Sequence, residues 1–187
     1  MFTPEQVRDL VEGRPVVDDF AYGRSDEAAV RALHRTVCRE VERRTGTRSR
    51  IAWDHYGSGY ASFVDAWFFR DEPGWAGRKA GGDRSWQGLT VLLSRLSPYV
   101  VFLEGNRSWG ERTGSADMPT FAGVDRLTTP AVAEIAPQVQ AVVERHGLVR
   151  LHASDLGTPL APDVQVPTLL SDPGSYREFD ALFHWED

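Results

Sequence analysis

Hydrophobic and polar positions along this chain change period several times, and each change marks an element. In "FTPEQVRDLVEG", Val7, Leu10 and Val11 share a helical face. Thr3 stands as N-cap, Pro4 suits the first helical position, Gln6 completes a capping-box spacing and Gly13 supplies the stop. A longer helix follows, with Ser25 as its cap and Asp26 and Glu27 at its positive end. Val30, Leu33, Val37 and Val41 form its apolar stripe, and Arg43, Arg44 and Gly46 end it. From Ile51 the period drops to two. "RIAWDHY" and "YASFVDAWFFR" flank the glycine turn at 57–59, and the second segment sets Ala61, Phe63, Asp65, Trp67 and Phe69 on one face. "QGLTVLLSRL" and "YVVFLEG" form a second pair about Ser97-Pro98. The four segments predict an antiparallel meander whose mostly apolar third strand lies near its centre.

The helical period returns at Thr129-Pro130 and runs to about His146 and Gly147, with Pro137 predicting a kink or two abutting helices. "LVRLH" reads as a short strand. In "FDALFHWED", Phe179, Ala181, Phe183 and Trp185 alternate with Asp180, Leu182, His184 and Glu186, which predicts a docked edge strand over 179–185. A helical start with Ser175 as cap also fits the spacing of Tyr176, Phe179 and Phe183. Strands are clustered and not interleaved with helices. The prediction is therefore a single α+β domain over residues 1–187, with a central antiparallel sheet covered by helices on one face.

Composition narrows the function classes. The 187 residues carry a net charge of −6, and Lys79 is the one lysine among 21 basic residues. Nucleic acid is excluded as a default partner, because phosphate contacts need clustered basic side chains. The lone Cys38 excludes an internal disulfide and a cysteine-rich zinc site, and reads as a half-buried structural thiol. Without a signal-peptide pattern or an apolar run long enough for a bilayer, the expected location is the cytoplasm, with no membrane partner.

No reaction motif appears. His34 lies among arginines and reads as solvated. His146 suits a helix C-terminus. His55 and Asp54 point to opposite faces of a strand. His152 with Asp155, and His184 with Glu186, are spaced to share a face, but no ligand set is complete, so neither metal nor cofactor is expected. The loop "GWAGRKAGGDRSW" lacks phosphate-loop spacing. Asp65, among aromatics, calls for a partner if buried, and an arginine from a neighbouring strand is expected. No catalytic residue is assigned. Acidic doublets recur at Asp18-Asp19, Asp26-Glu27, Asp71-Glu72 and Glu186-Asp187. Trp75, Trp86 and Trp109 stand in glycine-rich segments, either as plugs of the fold or as anchors for a partner. As a partner-binding set the sequence offers Asp71, Glu72, Trp75, Trp86, Trp109, Glu186 and Asp187.

In size, acidity, Trp-rich α+β character and the closing "FHWED", the chain resembles the small cytosolic immunity proteins of bacterial polymorphic-toxin systems. The resemblance implies a non-catalytic protein that neutralises a cognate toxin, often basic, by direct binding. A small enzyme with an unrecognised site and an adaptor subunit of a larger complex stay open as alternatives.

Overall fold

The computed structural model describes residues 2–17, 22, 26–57, 59–78, 84–109 and 114–187. In chain order the elements are α1 (Pro4–Val11), α2 (Glu27–Thr45), β1 (Arg48–Ala52), β2 (Tyr60–Ala61), β3 (Phe63–Phe69), β4 (Ala76–Arg78) and β5 (Arg84–Ser94). They continue with β6 (Tyr99–Trp109), β7 (Gly114–Ala116), α3 (Pro130–Arg145), β8 (Val149–Arg150), α4 (Ala153–Leu156), α5 (Glu178–Leu182) and β9 (Trp185–Glu186). The fold is α+β with helices packed on a curled sheet. Its main path is β1-β3-β5-β6-β7, all antiparallel. The expected meander is thus present, with the apolar β5 in the middle. β4 also pairs with β5, and β8 adds to the start of β6 in parallel.

Alternation along the strands divides the core in two. Val64, Ala66 and Phe68 stand opposite Leu93, Val91 and Leu89, and this face meets Val37, Cys38 and Val41 of α2 and Val132, Ile135 and Val139 of α3. That is the expected helical layer, and the two helices also pack on each other. Glu40 of α2 meets the His146 ring at 2.6 Å beyond the end of α3, the helix-terminal place expected for that histidine. The opposite face has its own cover. Phe63, Leu92, Val101 and Leu103 pack with Leu10 of α1, Leu156 of α4 and Phe179, Leu182 and Phe183. With both faces covered, β5 is apolar at consecutive positions instead of alternating.

Farther along this second face the Trp67 indole lies over a directly opposed glycine pair, Gly88 and Gly105, and donates to the Gly105 carbonyl at 2.9 Å. A Cβ on Gly88 would sit 2.4 Å from the indole nitrogen, so a side chain there would displace the ring.

Several helix ends differ in detail from the sequence reading. Asp26, not Ser25, caps α2, accepting the Ala29 N–H at 3.0 Å; Ser25 lies outside the described residues. Thr129 makes no side-chain cap. Glu104 of β6 does the capping, accepting the N–H groups of Thr128 and Thr129 at 2.6 and 2.8 Å. α3 runs through Pro137 as one helix. Cys38 is fully buried, not half-buried, and burial pushes its thiol up to about 12.

The closing segment corrects the predicted strand. Residues 178–182 form a helix, and only Trp185–Glu186 extend, pairing with β2. Asp180 takes the Arg177 N–H at 2.7 Å and fixes the first turn. The helical turn suits burial better than a strand. It puts Phe179 and Phe183 on one side, their rings 5.4 Å apart, with Phe183 edge-on to Phe63. Ser62 then anchors the exit, donating to the Leu182 carbonyl and accepting the His184 N–H, both at 2.9 Å. Gly59, at φ +60, carries no Cβ because one would lie 1.8 Å from the Glu186 carbonyl oxygen.

Phe179, Leu182 and Phe183 are wholly buried, and each contributes roughly 1.5–3 kcal/mol by area. Deleting residues 179–187 is therefore expected to remove most of a domain's ~5–15 kcal/mol of stability. Phe183→Ala alone is expected to cost about 3–5 kcal/mol. Urea denaturation checks both, and a truncated chain with the wild-type midpoint would contradict the docking.

Candidate binding face

The sequence-derived set falls at two ends of the sheet. Asp71 and Glu72 are exposed just beyond the end of β3. Asp71 accepts from the Trp86 Nε1–H at 3.0 Å and pairs with Arg84 at 3.2 Å. Trp75 and Trp86 are each 3% exposed, so they plug the core instead of standing out as anchors. The Trp109 side chain and Asp18-Asp19 lie outside the described residues. Glu186 and Asp187 are exposed at the opposite end, beside the start of β3. The seven residues of β3 separate the two groups, a span of roughly 20 Å. The structure does not join them.

Glu186 pairs with Tyr60, and Tyr60 lines a cleft together with Asp26 and Glu27. The start of α2, the turn at His55–Gly57, β2 and the residues after β5 surround a cleft of about 340 Å³. Arg95 forms its floor. Its side chain is 7% exposed, and it donates from Nε to the Phe63 carbonyl at 3.2 Å and from Nη2 to the Trp53 carbonyl at 2.6 Å. Its Nη1 lies 4.0 Å from the exposed Glu27 carboxylate. The chain reaches this place through two consecutive non-glycine residues in the left-handed region, His55 at φ 50 and Tyr56 at φ 58. Each such residue costs of order 1–3 kcal/mol and persists only where its surroundings fix it.

Both are fixed by their side chains. His55 accepts the Ala61 N–H at Nδ1 at 2.8 Å and stacks on Tyr60 at 5.4 Å. Tyr56 donates to Asp65 at 2.9 Å and packs on Trp185 at 4.8 Å. Asp65 is the buried carboxylate whose arginine partner the sequence called for. Arg107, from β6 and one strand farther than expected, reaches it with Nη2 2.6 and 2.7 Å from the two oxygens. Burial pushes the Asp65 carboxyl up, opposed by Arg107 and Tyr56.

The electrostatics of the cleft are set by burial and by Arg95. Burial, then Arg95, lowers His55 from its ordinary value, so the ring is neutral at pH 7. Its Nδ1 meets both main-chain groups of Ala61, the N–H at 2.8 Å and the carbonyl oxygen at 3.2 Å, which holds the ring in place at the cleft. Burial raises Tyr60, Arg95 offsets part of that, and Glu27 and Glu186 both push it further up. Glu27, which lines the cleft with Tyr60, and Glu186, paired with Tyr60 across β2 and β9, thus both act on that tyrosine, and exposed Asp54 acts on His55 from the same loop. The floor presents donors and a fixed positive charge, and the rim presents carboxylates.

His34 is a correction to the sequence reading. It is 1% exposed, not solvated, with Nε2 3.1 Å from the Tyr22 hydroxyl at the cleft wall. The flanking Arg31 and Arg35 lie over Trp53 at the surface, while His34 points inward. The two possible ligand pairs do not meet at a metal. The His152 ring contacts Asp125 at 3.2 Å, and the His184 ring the Ala181 carbonyl at 3.1 Å. Among the described residues no group of three or more His, Cys, Asp or Glu is placed to hold a metal ion. Nor is any helix among them long and apolar enough to cross a membrane. Sequence reasoning missed Arg95, His55, Tyr60 and Tyr22 as one site. The available signal was Arg95 itself, a charge interrupting the apolar run of "VLLSRLSP".

Burial, reinforced by Arg95, lowers His34 to about 3, and burial also lowers His55 and His184. An unfolded histidine takes up its proton near pH 6.5. Between about pH 6.5 and 3 the unfolded chain therefore binds protons that folded His34 refuses, and stability falls as pH falls. The urea midpoint is expected to drop between pH 7 and 5, above the carboxylate range. The drop should be smaller in His34→Gln, which keeps a hydrogen-bonding group near Tyr22. Equal drops in both proteins would contradict this assignment.

Compared with protein-family models, with curated proteins and with solved structures, the chain matches none of them.

Proposed function

We propose that this is a non-catalytic binding protein of the cytosol whose acidic face receives a basic protein partner, in the manner of the immunity proteins its sequence resembles. One observation carries the reading: Glu186 is paired with Tyr60 across β2 and β9, and Glu27, from a segment far away in the chain, lines the same cleft as Tyr60. Docking of the closing segment fixes Glu186 by pairing it with Tyr60, so this charge has a defined place on the surface. Charges of one sign around an aromatic surface raise the encounter rate with a partner of opposite sign. A toxin domain with clustered Arg and Lys has the chemistry to match. The buried Trp75 and Trp86 are excluded as anchors in this reading, which rests on Tyr60 and the two doublets.

The test pairs the protein with the products of its neighbouring reading frames. One of them is expected to bind, with an association rate that falls steeply as salt rises. The triple variant Glu27→Gln, Glu186→Gln, Asp187→Asn is expected to slow association at low salt by roughly tenfold, with the dissociation rate little changed. Asp71→Asn with Glu72→Gln, at the far end of β3, should leave the rate near wild type. Equal rates for the triple variant and wild type at low salt would contradict the assignment. Slowing by the Asp71 and Glu72 changes alone would move the interface to the other end of the sheet.

A further inference from the structure

The floor of the cleft has a chemistry that the acidic rim does not explain. Arg95 carries five N–H groups. Its Nε and one Nη2 hydrogen are taken by main-chain carbonyls. Among the described residues the other three make no hydrogen bond; the Glu27 carboxylate stands 4.0 Å from Nη1, and Tyr60, Arg31 and Asp54 also act on the charge. The guanidinium is thus held by main-chain carbonyls, its side chain only 7% exposed, and it lines the cleft. A planar carboxylate is the complement of a guanidinium fork. The His55 ring, held at Nδ1 by Ala61, lines the same cleft, and the Tyr60 hydroxyl stands at the wall shared with Gly13. Val30 and Leu96, both 5% exposed, supply apolar wall.

We infer that this cleft is a receptor for a small carboxylate with an apolar body, Arg95 holding the charge and His55 and Tyr60 the flanking oxygen positions. Exposed Glu27 lies where an ammonium next to that carboxylate would meet it, so a zwitterion is preferred over a plain acid. A volume of about 340 Å³ takes on the order of eleven water-sized groups, the size of an aromatic amino acid. This inference does not depend on a protein docking at the rim, and its test uses no protein partner.

The probes for titration calorimetry are L-phenylalanine, 3-phenylpropionate, which lacks the ammonium, L-phenylalaninamide, which lacks the carboxylate, and inorganic phosphate. L-Phenylalanine is expected to bind, 3-phenylpropionate to bind more weakly, and the amide not to bind. Glu27→Gln should narrow the gap between the first two. Arg95→Gln should abolish binding, but it can also unfold the chain, so Tyr60→Phe is the second variant. It removes one hydroxyl and should weaken L-phenylalanine roughly three- to tenfold. The inference is overturned if no probe binds at millimolar concentration, if the amide binds as well as L-phenylalanine, if phosphate binds and the carboxylates do not, or if Tyr60→Phe binds L-phenylalanine as wild type does.

Discussion

A single guanidinium ties together the parts from which the candidate face is made. Arg95 follows β5 and reaches the first carbonyl of β3 at Phe63 and the carbonyl of Trp53 before the left-handed turn. Its own N–H donates to the Ser62 carbonyl at 2.7 Å, and Ser62 in turn anchors the closing segment at Leu182 and His184. Burying that charge is costly unless it is bonded, and main-chain oxygens provide the bonds. The strained His55-Tyr56 pair can persist because Arg95 fixes the chain before it and Ala61 and Asp65 hold its side chains.

The sheet carries this arrangement between its two covered faces. α2 and α3 close one face and leave the negatively charged start of α2 at the cleft. α1, α5 and the closing residues close the other. Phe179 and Phe183 sink into the second core, so β9 emerges at a set register against β2, with Glu186 opposite Tyr60. The acidic end of the chain is thereby part of a built surface. A hydrophobic anchor at 179–183 and a polar one at Ser62 together decide where two exposed carboxylates stand.

Much of the frame was legible because it rests on local periodicity. Period-two alternation from Ile51, the continuous apolar run of β5 and the stripe of α2 each follow from burial on one face or two. The demand of Asp65 for an arginine was legible for the same reason, since a carboxylate among aromatics must be paired. The closing segment was misread because Phe179, Ala181 and Phe183 fit both a strand and a helical turn. Long-range contacts with Phe63 and Ser62 decided for the turn. His34 was misread because arginines flank it in sequence, although helical geometry turns them outward and it inward. Trp75 and Trp86 sit in polar-looking sequence, yet the curl of the sheet folds them into its core. The cleft was not legible at all. It is assembled from residues near 13, 22, 26, 55, 60 and 95, which only the topology brings together.

The central claim is that Arg95 is a buried, bonded strut and not a surface arginine. Hydrogen exchange of the Arg95 Nε–H, followed by 15N NMR with assignment through an Arg95→Lys comparison, tests it most directly. The account predicts a resonance that persists at neutral pH, exchanges far more slowly than the other arginine side chains as a group, and shows contacts to Phe63 and Trp53. An Arg95 Nε–H that exchanges as fast as those of exposed arginines such as Arg43 would contradict it, and with it the fixed cleft on which both functional proposals stand.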